Sequence, residues 1–327
     1  MRAVWYEANG AAEDVLRIGE LPDPEPPPGY VRVRVAVSGV NPRDVKRRSG
    51  VGGRTMTEPL VIPGDDGAGV IDRVGSGVSD ARLGERVWVH SATFSGPSGT
   101  CAEFVVVPAS HALTLPENAD FGVGACLGVP ALTAYRCVHA DGPVDGSYVL
   151  VTGGAGAVGH YAIEFAKHAG ATVIATASTP EKQKSARAAG ADLVVDYRDP
   201  GAAERITAFT GPAGVHRIVD VDFGANLDLS LAVIAVNGTI ATYSSNSRPD
   251  PILPFYSLMR RSITVRTVLV FQTPERELAA ATSAVSRLLS DGSLTHPIAV
   301  RLPLDQAAKA HNLVESGKVI GKVLIHI

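Results

Sequence analysis

The stretch SYVLVTGGAGAVGHYAIEFAKHAGATVIATAS, from Ser147 to Ser178, constrains this chain more than any other because it spells a complete strand-turn-helix-strand unit. Ser147 to Thr152 reads as a buried parallel strand. Gly154-Ala155-Gly156-Ala157-Val158-Gly159 fits G-x-G-x-x-G, and the spacing of Val158, Ala162, Ile163 and Ala166 continues as a helix to Gly170. The β-branched run Thr172 to Ala177 supplies the second strand. One glycine of the pattern allows a tight turn, one lets the backbone approach a pyrophosphate, and the last lets helix and strand pack closely. The free N–H groups of the helix N-terminus then face the phosphates. A dinucleotide site follows.

The end of the second strand discriminates between cofactors. An NAD site normally places Asp or Glu about 20 residues beyond the glycines, to hold the ribose 2′-hydroxyl. Here the residues are Ala177-Ser178-Thr179-Pro180-Glu181-Lys182. A carboxylate would repel a 2′-phosphate, whereas Ser178 and Lys182 suit one by hydrogen bond and charge. NADPH is therefore expected over NADH. The plainer reading is that Ser178 and Thr179 cap the next helix and Lys182 is solvated; Glu181 is the residue that argues against NADPH.

A chain of 327 residues accommodates two domains or one large one, and 45% hydrophobic with 19% charged residues is the composition of a packed globular protein. A net charge of -3 gives no reason to expect nucleic acid or an anionic membrane as partner. The basic run Arg43, Lys46, Arg47 and Arg48 reads as a solvated helix face. No apolar run follows Met1 and no uninterrupted apolar stretch reaches 18 residues, so a soluble, cytoplasmic protein is expected. Cys101, Cys126 and Cys137 fit neither a disulfide framework nor a C-x-x-C metal pattern and read as reduced, structural thiols.

Up to about Asn118 the chain is strand-rich. Val31 to Val37 alternates with period two, and Gly69 to Val74, Arg86 to Val89 and Ala102 to Val107 are further strands. After Phe121 strands alternate with helices: Ser147 to Thr152, Thr172 to Ala177, Leu193 to Asp196, His216 to Val221, Gly238 to Tyr243 and Ser262 to Phe271. Six strands with the glycine turn on the first describe a doubly wound parallel sheet, the Rossmann-type α/β arrangement. The tail, with a helix at Glu275 to Leu289, a strand at Ile298 to Leu302, a helix at Leu304 to Glu315 and a strand at Lys322 to Ile327, has no sheet of its own. It is expected to complete the N-terminal domain, giving residues 1–120 with 272–327 as one domain and 121–271 as the other.

Five segments, in order, resemble the zinc-free quinone oxidoreductase branch of the medium-chain dehydrogenase/reductases, the group that includes zeta-crystallin. They are Ser38-Gly39-Val40-Asn41-Pro42-Arg43-Asp44, Pro63 through Ile71, Leu83-Gly84-Glu85-Arg86-Val87, Val129-Pro130-Ala131-Leu132-Thr133-Ala134-Tyr135, and the glycine turn. The resemblance implies a β-rich GroES-like catalytic domain beside the Rossmann domain. Zinc alcohol dehydrogenases place a cysteine near Ser38, a Gly-His-Glu at Gly64-Asp65-Asp66, and a lobe of four close cysteines. Here Ser38 has no thiolate and Asp65 replaces the histidine. The roughly three ligands that catalytic zinc needs are not visible, so no metal is expected.

By the same resemblance, Asn41 is the active-site asparagine beside the nicotinamide or the acceptor oxygen and Asp44 its accompanying aspartate. Thr133 belongs to the nicotinamide end. Gly154, Gly156, Ala157, Val158 and Gly159 line the pyrophosphate, and Ser178, Lys182 and Tyr197 hold the adenosine phosphate. Each has a plainer reading: Asn41 as a turn residue before Pro42, Asp44 as a helix N-terminal carboxylate, Tyr197 as a packed strand-end aromatic. Lys46 stands where many members carry a tyrosine, so no tyrosine proton donor is assumed, and Thr242 to Asn246 lacks the family's usual glycine. His90, at a strand end of the catalytic domain, reads as a partly exposed structural histidine rather than one that reaches the cleft, and His139 as a helix-end residue near Asp141.

The implied function is transfer of reducing equivalents from NADPH to a quinone without zinc. The alternatives are reduction of an enone, enal or enoyl-thioester double bond, or a low-turnover NADPH-binding role. The physiological acceptor is not legible. The strand at residues 262–271, last in its sheet, would be an open edge, and the resemblance implies that two subunits join there as a homodimer, unless Arg260, Arg261 and Arg266 guard it.

Overall fold

The computed structural model describes residues 1–53, 55–94 and 96–327. By internal contacts the chain divides into two compact units, Met1–Val129 with Thr282–Ile327, and Pro130–Ala281. Both divisions run through helices, whereas the boundaries expected at 120/121 and 271/272 lie at their starts or before them.

The first unit opens with an antiparallel pair, β1 (Arg2–Trp5) and β2 (Arg17–Glu20), separated by the short α1 (Ala12–Val15). The long β3 (Tyr30–Val40) leads into α2 (Pro42–Ser49), followed by β4 (Asp66–Val74), β5 (Arg86–Val89), β6 (Phe104–Pro108) and β7 (Ala112–Thr114). Alternation in β3 puts Val31, Val33 and Val35 into a core with Ile71, Val87, Val105 and Val107. Removing each such side chain from water contributes about 1.5–3 kcal/mol.

Helix α3 (Phe121–His139) breaks at Gly128 (φ -14, ψ -105), two residues before Pro130. It is long and apolar enough to span a bilayer by composition, yet most of that window is buried in protein, which marks a core helix.

The second unit continues with β8 (Tyr148–Val151), α4 (Ala157–His168), β9 (Thr172–Thr176), α5 (Pro180–Ala188), β10 (Leu193–Val195) and α6 (Ala202–Thr210). Then come β11 (Val215–Asp220), α7 (Phe223–Val233), β12 (Ile234–Thr242), the short α8 (Phe255–Met259) and β13 (Thr264–Thr267). All neighbouring strands are parallel, in the order β10-β9-β8-β11-β12-β13. This is the doubly wound order, with its switch point between β8 and β11.

The tail supplies α9 (Glu275–Ser290), β14 (Ile298–Pro303), α10 (Ala307–Glu315) and β15 (Lys322–His326). β15 pairs antiparallel with β3, and β14 lies outside it, so the last strand enters the N-terminal sheet.

Several expectations change. The strand expected over 262–271 is only four residues long: Ser262 takes a positive φ of 51°, and a 3₁₀ turn at Val270–Gln272 bends the chain away so that Val268 and Val270 are buried. Arg266 is no edge guard, because its guanidinium is paired with both oxygens of Asp141. His90 is buried, its ring tilted against that of His111 with centroids 4.6 Å apart. The basic run of α2 is not a solvated face either: Arg48 is fully buried and paired to Glu315 at 2.8 Å, and Arg43 is paired to Asp65.

Candidate active site

In the second unit, the turn between β8 and α4 is shaped by four glycines. The tight turn falls on Gly153, whose φ of +66° suits a residue without Cβ, and it therefore lies one position before the expected fingerprint. Its N–H donates to Thr176 Oγ1 at 3.0 Å, tying the turn to β9. A Cβ on Gly154 would lie 2.8 Å from that of Ala175, and one on Gly159 would lie 2.3 Å from the Gly153 carbonyl oxygen. These two glycines are packing requirements. Gly156 is the N-cap of α4, and the N–H groups of Ala157, Val158 and Gly159 open the helix without intrahelical acceptors. A row of unpaired donors at a positive helix end is suited to a phosphate.

The ends of β9 and β10 are neighbours, with Val195 registered against Thr176. This brings Ser178, half-buried Lys182 and exposed Tyr197 to one corner of the sheet. The Thr179 hydroxyl accepts from the Lys182 N–H at 3.3 Å, so Thr179 is a helix cap as the plainer reading had it. Glu181 turns back on the same helix end: its carboxylate is held by its own N–H and the Thr179 hydroxyl, which lowers its pKa. Arg198, which the sequence reading passed over, donates to the Ser178 carbonyl and to Asp196, whose pKa it pulls down to about 2. The carboxylate at the end of β10 is thus neutralised by a cation that reaches the end of β9. An arginine directly after Tyr197 was the available signal.

Beyond the ends of β12 and β13 lies a cavity of about 550 Å³ lined by residues that include Thr242, Tyr243, Ser244, Thr267 and Leu269. Ligands of open α/β sheets bind beyond the carboxyl ends of the strands. Burial pushes the Tyr243 phenol well above its usual pKa, so it stays a neutral hydroxyl. Thr133 is buried in the post-kink half of α3, and the ring of His139, at that helix's end, lies tilted against Tyr135 with centroids 4.4 Å apart.

In the first unit, Asn41 is the N-cap of α2 and is buried. Its Nδ2 donates to Asp66 Oδ2 at 2.8 Å, and its Oδ1 accepts from Lys322 Nζ. Asp44, at the third position of the helix, accepts the Asn41 N–H at 2.8 Å and the Gly64 N–H at 3.3 Å. Burial raises the Asp44 pKa to about 7, with the nearby Asp65 carboxylate adding to the rise. Asp66 takes three donors: Asn41, Lys322 Nζ at 3.0 Å, and the Val129 N–H freed at the α3 break, at 2.8 Å. A Cβ on Gly128 would lie 1.9 Å from Asp66 Oδ1, so the break needs glycine. Lys322 was not singled out from sequence, since a buried lysine near a chain end has no local signature.

The positions compared with zinc ligands are otherwise engaged. Ser38 Oγ is hydrogen-bonded to Thr100 Oγ1 at 2.7 Å, and Asp65 is held by Arg43 and Thr93. Among the described residues, no three His, Cys, Asp or Glu side chains come together as a metal-binding group.

Residues 27–117 match the alcohol dehydrogenase GroES-like domain, and residues 157–287 match the family described as zinc-binding dehydrogenase. The second match lies wholly outside Ser38 and Asp65 and contains no cysteine. The chain is 31% identical to a quinone oxidoreductase of Pongo abelii, over 99% of this chain and 97% of that protein. It is also 31% identical to a 2-haloacrylate reductase of a Burkholderia species, over 99% and 98%. The solved structure of Escherichia coli quinone oxidoreductase complexed with NADPH matches with a TM-score of 0.89 at 26% identity, covering 100% of both chains. With both domains matched in order and relatives similar from end to end, the chain belongs to the medium-chain dehydrogenase/reductase family, with quinone oxidoreductases and a 2-haloacrylate reductase among its relatives.

Proposed function

We propose that the protein is a zinc-independent oxidoreductase that passes reducing equivalents from NADPH to a quinone. The observation carrying this reading is the glycine turn capping α4, together with a strand-end corner that offers Ser178, Lys182, Tyr197 and Arg198 and pairs the Asp196 carboxylate with Arg198. These residues fit NADPH: the N–H groups of Ala157, Val158 and Gly159 open α4 beside Gly154 and Gly156 and suit a pyrophosphate, and the corner suits a 2′-phosphate. The nicotinamide supplies the hydride. The chain's own part is binding, orientation and exclusion of water.

Thr133 is assigned to the nicotinamide end. Asn41 is assigned to the acceptor: an amide has two N–H groups and two lone pairs, and Asp66 and Lys322 use one of each. Asp44 fixes the Asn41 backbone and serves as its partner. The protein is further assigned to the cytoplasm as a homodimer. The exposed Ile252, Leu253, Phe255, Tyr256 and Met259 before β13 support an interface continuous with that edge.

Similarity to a 2-haloacrylate reductase favours a second reading, reduction of an activated alkene on the same scaffold. Incubation of the purified protein with NADPH and a panel of quinones and enones, followed at the nicotinamide absorbance, tests both. Quinone turnover supports the first, enone turnover alone the second. NADPH binding without any turnover overturns both in favour of a binding role.

A further inference from the structure

Helix α2 carries Arg43 and Arg47 one turn apart, and therefore on one face. That face is fixed by the burial of Val45 and Arg48 on the opposite side. The two arginines line a cavity of about 360 Å³ with Thr55, Met56, Thr57, Val61 and Phe94. Their charges are not equally committed. Arg43 Nη1 is bonded to Asp65 Oδ2 at 2.5 Å and to Thr93 Oγ1 at 2.8 Å, so it balances a fully buried carboxylate. Arg47 Nη1 donates to the Thr93 carbonyl at 3.2 Å, and among the described residues no carboxylate lies within ion-pair distance of its guanidinium. The cavity thus has a net positive wall, three threonines (Thr55, Thr57 and Thr93), and an apolar floor of Met56, Val61 and Phe94.

We propose that this cavity binds the carboxylate of a small acceptor, with Arg47 as the specificity-determining residue, so that the substrate class is an activated alkene bearing an acid group. A half-buried guanidinium with free edge donors is matched by a planar two-oxygen anion. The size admits a short carbon chain against the apolar floor. A neutral quinone leaves the Arg47 charge without a partner in a site partly withdrawn from water, which is unfavourable. The proposal deepens the second reading, reduction of an activated alkene, and rests on it for the fate of the bound acid.

Two measurements separate the proposal from that reading. The first is steady-state kinetics with NADPH and a matched pair of acceptors, 2-chloroacrylate and its methyl ester, on the wild type, Arg47→Gln and Arg47→Lys. The wild type is expected to favour the acid, and Arg47→Gln to lower the acid-to-ester ratio of kcat/KM by about tenfold or more, mainly through KM, with partial recovery in Arg47→Lys. A ratio that does not move overturns the proposal, even if the ester is reduced and the oxidoreductase reading stands. The second is calorimetric titration, without NADPH, using the saturated acid 2-chloropropionate and inorganic phosphate as probes. Binding of the acid that is lost in Arg47→Gln supports the site even if neither acceptor is turned over. Tighter binding of phosphate than of the acid, or no binding of either, overturns it.

Discussion

Asp66 on β4 and Lys322 on β15 form an ion pair of 3.0 Å in which both side chains are buried, joining two strands that flank β3. Burial raises the Asp66 pKa, while Lys322 and the Asn41 amide pull it back toward ionisation. Asn41 lies between the two, so the pair sets the position of the residue assigned to the acceptor. Removing one member leaves a buried charge uncompensated. Lys322→Met is expected to destabilise the protein by about 3 to 5 kcal/mol, and Lys322→Met with Asp66→Asn by clearly less. Urea denaturation of the three proteins checks this; equal losses in single and double variants would show that the pair is not the cause.

The strand-end corner predicts cofactor choice. Lys182→Ala is expected to weaken NADPH by about tenfold or more and to leave NADH little changed, because only the former carries a 2′-phosphate. Arg198→Ala is expected to act in the same direction. Fluorescence titration with both cofactors measures it, and parallel losses for the two would remove the assignment.

The engagement of Ser38 with Thr100 and of Asp65 with Arg43 leaves no ligand set at the positions that hold zinc in related dehydrogenases. Activity is expected to survive prolonged chelation, with substoichiometric zinc by elemental analysis. Activity lost to a chelator and restored by zinc would contradict this.

Two buried histidines predict an acid limb of stability. Burial lowers the pKa of both His90 and His311 to about 3, so each is neutral in the folded protein. Above the ordinary histidine pKa of about 6.5, folded and unfolded chains bind equal protons there and full stability is present. Between about 6.5 and about 3 only the unfolded chain is protonated, and stability falls by up to about 1.4 kcal/mol per pH unit for each histidine. Denaturation midpoints across this range should show the decline, and His90→Leu should flatten it. A profile unchanged by that substitution would refute the assignment.

Assembly is read from the edge of the parallel sheet. The Val268 N–H donates to Thr242 on β12, so by alternation the Val265 N–H faces the open side of β13. Light scattering is expected to give twice the 34.0 kDa chain mass. Val265→Pro removes an outward donor and is expected to yield monomer. A concentration-independent monomer in the unaltered protein would overturn the dimer.

What the sequence determined by itself was whatever is written locally. The glycine turn, the alternation of Val31 to Val37, and the β-branched runs that became β8, β9 and β11 rest on spacing within a few residues, and the structure contains all of them. The end of the sheet was misjudged because β-branched residues from Ser262 to Phe271 suit a strand by propensity, whereas the buried positions of Val268 and Val270 bend the chain after Thr267. Only the tertiary structure decided the partners of charged groups. Arg48 meets Glu315 across 267 positions and Lys322 meets Asn41 across 281, distances over which no sequence pattern operates. Within a basic run that reads as a solvated face, Arg48 is thus a buried ion, Arg43 the neutralised partner of Asp65 and Arg47 an arginine with donors to spare. Charge is a property of the residue, but its compensation depends on which strands and helices the fold brings alongside.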